Sequence, residues 1–325
     1  MVCVVYSCPF IPAEWITSHG LNASRITPSI DMIAPYRTGE GICPYVIRFI
    51  NHILVNQPYA VIITTVCDQM RRSADWIEIE SDIPVFLFNV PSTWQTRQAT
   101  GLYSDELKRL GRFLVRLGGT VPSSDELKRI MKQYDRVRMR FRNTWDKIPP
   151  RVYAEKLSEL HRDGPGSIRL QRKPSNLDGI PLALLGGPLP ESDFFIFDII
   201  EESGGRVVLN GTENGERTLP DKFDLKNMED DPFKELVRAY FGSIPDVSRR
   251  PNTALYQWLK REVEQRGIKG IIVRYYSWCD LWHGEVQRLK DLNLCPVAAI
   301  NISGSEPGAI EHITTRIEAF IEQLL

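Results

Sequence analysis

Residues Tyr59–Val66 read YAVIITTV, a β-branched and apolar run preceded by Pro58. A strand with no polar alternation is buried on both faces, which happens in parallel sheets covered by helices. The neighbouring sequence agrees. Val2–Tyr6 and Pro84–Val90 are further strand-like runs, and Ala23–Thr27 is a weaker one. Between them, helical patterns span Pro12–His19, Pro44–Val55 and Asp68–Glu80. Strand–helix–strand order implies parallel strands joined by right-handed crossovers.

The pattern restarts after Arg162–Gly179, a Gly-, Pro- and Ser-rich stretch that reads as a linker. Strands are expected at Ile180–Leu185, Arg206–Leu209, Lys269–Tyr275 and Pro296–Ile302. Helices are expected at Glu191–Ser203, Asp231–Tyr240, Thr253–Gln265, Leu281–Leu292 and Gly308–Leu324, with Asn210–Asp230 as loop. Ser104–Gly118 and Ser124–Asp146 read as long helices, each opening on SDELKR with serine as N-cap. Arg136–Arg142 alternates arginine with apolar residues and reads as a solvated basic face. The expected architecture is α/β, with two open parallel-sheet domains of Rossmann or flavodoxin-like type. They cover residues 1–100 and 180–325 and are joined by a helical segment and linker at 101–179. A chain of 325 residues fits this division.

Composition narrows the function classes. The net charge of −1 gives no basic excess for nucleic acid. No apolar run approaches the roughly 20 residues of a membrane helix. The start, MVCVVYSCPF, lacks the basic n-region of a signal peptide, so a cytoplasmic location is expected. Six cysteines are too few for a disulfide scaffold at this length. In a reducing compartment they are buried filler, reactive thiols or metal ligands.

Their placement points to ligands. Cys8, Cys67 and Cys279 each follow a strand-like run, and Cys43 opens a helix-like one. In parallel α/β sheets, strand C-terminal ends and helix N-termini face one crevice, where ligands bind. Cys67-Asp68 and Cys279-Asp280 each sit between a strand and a helix, one pair per domain. A helix N-terminus favours negative charge and is expected to lower a thiol pKa. Pro44 after Cys43 suits a first helical turn. Cys8-Pro9 aims at the same edge. Cys3, inside a strand, and Cys295, at a strand start, read as core. Zinc motifs such as CxxC, HxxxH and HExxH are missing, as are the GxxxxGK, GxGxxG and GxSxG signatures. Dispersed cysteines meeting in an inter-domain cleft suit an iron–sulfur cluster.

Several segments resemble the 2-hydroxyacyl-CoA dehydratase / benzoyl-CoA reductase family, in particular its cluster-carrying D-component-type subunits. SCPFIPAEWITSHGL, ICPYVIRFIN, TTVCDQMRRSADW, IPLALLGGPLP, IIEESGGRVVL, YYSWCDLWHGEVQRLKD and TTRIEAFIEQLL carry the likeness nearly end to end. CDQMRR and WCDLWHGEVQRLK are the specific parts. The resemblance implies a 4Fe–4S cluster held by Cys43, Cys67 and Cys279, with Cys8 nearby or as an alternative ligand, and one iron left open. It implies an acyl-CoA substrate reduced by one electron to a ketyl radical, and a separate ATP-hydrolysing iron–sulfur activator. It also implies a homologous partner subunit or a second copy; relatives carry a longer N-terminal piece where the first strand here begins near Met1, so a complete active site in this chain alone is not expected. A non-catalytic electron-transfer or partner-binding subunit, and a structural α/β protein with buried thiols, are the alternatives. Many relatives have cysteine in a Thr-Cys-Thr-Gly-x-Arg segment. Here Gly211-Thr212-Glu213-Asn214-Gly215-Glu216-Arg217 stands in its place, which predicts a single cubane. Glu40, in the loop before Cys43, and His283, after Cys279, are candidate acid/base groups.

Overall fold

The computed structural model describes residues 2–29, 41–166, 168–170, 178–302 and 309–325. The first sheet contains β1 (Cys3–Tyr6), β2 (Asn22–Arg25), β3 (Ala60–Thr64) and β4 (Val85–Phe88) in the order β2-β1-β3-β4. The second contains β5 (Ile180–Gly186), β6 (Gly205–Gly211), β7 (Gly270–Tyr276) and β8 (Val297–Ile302) in the order β6-β5-β7-β8. Every pairing is parallel. Each sheet therefore repeats one topology, a first strand flanked by the second and third. The two-domain α/β expectation holds at this level. In each sheet the chain reverses direction between its first and third strands, and the crevice of an open α/β sheet lies at the C-terminal ends there.

The strands form where continuous apolar runs are covered on both sides. All five residues of β3 are buried, and its register sets Val61 beside Val5 and Ile62 beside Tyr6. The helices between first-sheet strands are α1 (Ala13–Ser18), α2 (Pro44–Asn56) and α3 (Asp68–Glu80). A helical layer follows: α4 (Arg97–Arg116), α5 (Ser124–Arg142) and α6 (Pro150–Asp163). The second sheet is covered by α7 (Phe195–Glu202), α10 (Thr253–Arg266), α11 (Asp280–Asp291) and α12 (Ala309–Glu322), with α8 (Leu225–Asp230) and α9 (Pro232–Phe241) inserted after β6. One apolar core joins the two sheets, bringing Val5, Val61 and Ile63 together with Leu182, Leu184 and Ile272. A second core buries α1, α4 and α5 against Leu236, Val237 and Tyr240 of α9. Residues from the second half of the chain thus complete the first lobe.

Three local readings are revised. The first SDELKR does not start a helix. Helix α4 begins seven residues earlier, at Arg97, where Thr96 Oγ1 accepts the Ala99 N–H at 3.1 Å. The apolar spacing of Ala99, Tyr103, Leu107, Leu110 and Leu114 runs straight through Ser104, so packing overrides the capping signature. The second SDELKR does open a helix, capped by Ser123. Helix α6 lies in sequence left unassigned above, although Tyr153, Ala154, Leu157 and Leu160 bury at helical spacing behind Pro150. The basic stretch on α5 is not simply solvated: Arg138 is buried, 2.5 Å from Glu14 Oε1 and 2.6 Å from Tyr240 Oη. It turns inward because α1 and α9 offer it a carboxylate and a phenol.

Candidate metal centre

Both sheet crevices open onto one cavity. It is lined from the first lobe by Ser7, Cys8, Cys43, Tyr45, Thr64 and Cys67, among others. The second lobe contributes Gly187, Glu213, Asp246, Tyr276, Cys279 and Trp282. It encloses about 80 Å³, several times the roughly 10–15 Å³ that one water needs. Four of the six cysteines face it, and all six are free thiols.

The local sequence explains the placement. Cys43, Cys67 and Cys279 are the N-cap residues of α2, α3 and α11. Pro44 at the first turn of α2 and Asp68 and Asp280 in the first turns of α3 and α11 favour helix starts there. None of the three side chains closes a capping hydrogen bond, so the sulfurs stay available to the cavity. Gly187 and Pro188 follow Gly186, whose φ of 152° is left-handed backbone. A Cβ at Gly186 would lie 2.0 Å from the Arg274 carbonyl oxygen, so only glycine lets β5 end this close to β7.

Three segments are tied together by one side chain. Gln69 Oε1 accepts the Cys43 N–H at 2.6 Å, and Gln69 Nε2 donates to the Trp278 carbonyl at 3.2 Å. Gln69 itself lies two residues after Cys67. The CDQMRR segment thus supplies a thiol and also the amide that fixes its two companions. This residue was not singled out from sequence; the only available signal was its place in that motif.

Electrostatics separate the four thiols. Burial pushes Cys43 up to about 11 and Cys279 up to about 12, and it raises Cys67 as well. The first-turn N–H groups of Tyr45 and Val46 oppose this at Cys43, as do those of Gln69 and Met70 at Cys67. Desolvation outweighs them, and the expected lowering is overturned. Charge on Cys67 raises Cys43, and charge on either raises Cys279, so these three form one interacting set. Cys8 is also pushed up to about 12 by burial, but the charges acting on it are those of Glu213 and Asp246.

Buried arginines ring the cavity. Arg25 donates to the Ser7 carbonyl at 2.7 Å and to the Glu213 carbonyl at 2.6 Å. Arg217 pairs with Asp246 at 2.8 Å. Arg274 pairs with Asp193 and donates to the Pro188 carbonyl at 2.6 Å. Arg274 also draws the Cys43 thiol downward. Glu213, pushed up to about 7 by burial, is a second lining group whose role the sequence left open.

The remaining candidates fall elsewhere. His283 is exposed, stacks on Tyr275 at 5.6 Å and does not line the cavity. Glu40 lies outside the described residues. Among the described residues no three His, Cys, Asp or Glu side chains stand close enough to grip a single ion. No helix among the described residues is long and apolar enough to cross a membrane.

A family model described as 2-hydroxyglutaryl-CoA dehydratase, D-component, matches residues 8–324. The chain belongs to that family. The matched span includes Cys8, Cys43, Cys67 and Cys279 and, Ser7 apart, the lining of the cavity of this D-component family member. No curated protein matches the sequence. Among solved structures, the SBP FpvC of Pseudomonas aeruginosa in complex with Mn2+ is 10% identical, with 100% of this chain and 98% of that one covered and a TM-score of 0.27. The laminin binding protein Lmb of Streptococcus agalactiae is also 10% identical, with full coverage of both chains and a TM-score of 0.24. At such scores the likeness carries no argument about the site.

Proposed function

We propose that the chain is the iron–sulfur subunit of an ATP-activated radical dehydratase or reductase acting on CoA thioesters. One observation carries the reading. Cys43, Cys67 and Cys279, drawn from both lobes and 236 positions of sequence, cap three helices around one cavity and influence one another's charge. They would hold a 4Fe–4S cluster, with Cys8 beside it. Bound there, such a cluster supplies low-potential electrons one at a time, its potential set by burial, charge and hydrogen bonds to sulfur.

The chain's own residues prepare the site for this. Phe10, Val66, Met70, Val247 and Leu281 give it apolar walls that keep bulk water out. Behind those walls, Arg274, itself paired with Asp193, favours the ionised Cys43 thiol. First-turn N–H groups of α2, α3 and α11 favour the ionised forms of Cys43, Cys67 and Cys279. An acyl-CoA, a homologous partner subunit or second copy, the ATP-hydrolysing activator and a cytoplasmic setting complete the proposal.

Anaerobic reconstitution tests it. About four irons and four sulfides per chain are expected, with a cubane EPR signal on reduction. Changing Cys67 and Cys279 together to Ala should abolish iron uptake. Full iron content in that double variant refutes the site. Turnover of a 2-hydroxyacyl-CoA with partner and activator distinguishes an enzyme subunit from an electron carrier, which would bind iron and turn over nothing.

A further inference from the structure

We propose that a second cavity, along α10, binds a phosphorylated nucleotide-type ligand, with its ring on Trp258 and its phosphates toward Arg142, Arg217 and Arg261. The inference stands apart from the iron–sulfur reading, for no cysteine lines this cavity.

The cavity encloses about 570 Å³, within the roughly 300–1,000 Å³ of small-molecule sites. One wall is α10. Ala254, Trp258, Glu262 and Arg266 recur every fourth residue, so they share one helix face. Gln257, Arg261 and Gln265 run beside them. The remaining lining comes from the end of α5, the turn after β6 and the end of α9.

Arg217 carries the argument. It is 1% exposed. Its Nε donates to the Gly211 carbonyl at 2.8 Å, and its Nη1 donates to the Pro245 carbonyl at 2.6 Å and to Asp246 at 2.8 Å. Its Nη2 is buried and has no hydrogen-bond partner among the described residues. A buried donor left unpaired costs about 1–3 kcal/mol, which a phosphate oxygen would relieve. Asp246 lines the cysteine cavity and Arg217 lines this one, so their ion pair stands between the two.

Two further guanidinium groups are uncommitted to carboxylates. Among the described residues Arg142 donates only to the Leu219 and Pro220 carbonyls and the Met139 sulfur. Burial and the charge of Arg138 push its pKa down, and exposed Asp221 does not reverse this. Arg261 has no side-chain partner among the described residues. The carboxylates of Glu216 and Glu262 are taken by Arg266, at 2.9 and 2.7 Å. The ring site is Trp258. Its Cη2 would sit 3.2 Å from a Cβ at Gly211, so that end is anchored against β6. Trp145, by contrast, already carries Arg266 at 4.3 Å. A ring stacked on an indole gains about 1–3 kcal/mol, and arginine holds phosphate by paired hydrogen bonds. A free nucleotide and the nucleotide end of a CoA thioester share this chemistry.

Calorimetric titration of the metal-free full chain with ADP, coenzyme A, adenosine and pyrophosphate tests the assignment. ADP or coenzyme A should bind, with adenosine and pyrophosphate each about tenfold or more weaker. Tighter binding of coenzyme A than of ADP identifies the thioester's nucleotide end; equal or weaker binding identifies a free nucleotide. Arg261→Glu and Trp258→Leu should each weaken the ligand about tenfold or more. Hydrogen exchange in wild-type peptides covering 216–221 and 242–245 should slow when it binds. No binding of ADP or coenzyme A up to about 1 mM overturns the proposal. So does pyrophosphate binding as tightly as ADP, or unchanged affinity in either variant. Unchanged exchange in both peptides overturns it without any variant. Iron uptake on reconstitution is read separately, so its failure removes the cluster reading and leaves this site standing.

Discussion

Replacing Gln69 with Ala isolates the contact that holds the three cysteine segments in register. The side chain makes two good hydrogen bonds, to the Cys43 N–H at 2.6 Å and to the Trp278 carbonyl at 3.2 Å. A third, to the Gly41 carbonyl at 3.4 Å, is weak. A typical intramolecular hydrogen bond contributes about 0.5–1.5 kcal/mol net, so two give roughly 1–3 kcal/mol. The loss falls on local opening rather than on global unfolding, because the sheets and cores are untouched. At about 1.4 kcal/mol per decade, protection should drop roughly 5- to 150-fold. Hydrogen exchange on the metal-free chain reads this directly, in peptides covering 41–47 and 276–280. Gln69→Glu separates the two bonds. A carboxylate still accepts from the Cys43 N–H but cannot donate to Trp278, so only the second peptide should lose protection. Unchanged exchange of both peptides in Gln69→Ala would show that the thiol segments are positioned by something else.

Arg138→Met removes one partner of a buried pair and leaves Glu14 charged at zero exposure. The expected cost is about 3–5 kcal/mol in urea unfolding, with partial recovery in the double variant Glu14→Gln/Arg138→Met; a loss below about 1 kcal/mol contradicts the pairing. Gly186→Ala forces a Cβ to within 2.0 Å of the Arg274 carbonyl at a left-handed φ, and should destabilise by about 3 kcal/mol or more in the same assay. Thiol reactivity gives the pH test. With Cys279 pushed up to about 12, its thiolate fraction at pH 8 is about three orders of magnitude below that of an ordinary cysteine. Alkylation of the metal-free native chain by iodoacetamide, mapped by peptide, should be slow at Cys279 and rise about tenfold per pH unit towards about 12. Rapid labelling at neutral pH counts against the raised thiol.

The fold was legible because its strands carry their own signature. AVIIT at 60–64 and IPLALLG at 180–186 are apolar without alternation, which only a doubly covered parallel sheet satisfies. What the sequence hid were features decided by partners distant along the chain. Ser104 looks like a cap until Ala99 and Tyr103 are seen to bury against the first lobe. Arg138 looks like surface until Glu14, 124 positions away, is folded beside it. Nor does any local signal say that α9, inserted in the second half, packs into the first lobe's core.

The convergence of four cysteines on one cavity was legible, and their environment was misread. Strand ends and helix starts located Cys8, Cys43, Cys67 and Cys279 at one crevice, which topology alone dictates. Their ionisation depends on magnitudes the sequence does not weigh. A helix N-terminus contributes about 0.3–1 kcal/mol to a nearby negative charge, under one pKa unit, whereas full burial shifts a pKa by up to 3–5 units. Burial wins, and the thiols rise. That outcome argues against a nucleophilic cysteine, which needs a lowered pKa and access. It does not argue against a metal, since a coordinating cation deprotonates its thiol outright. Three poorly ionised thiols beneath three helix N-termini, ringed by buried arginines, make little sense as reactive groups. As donors to the proposed cluster they would gain their charge only when a cation arrives.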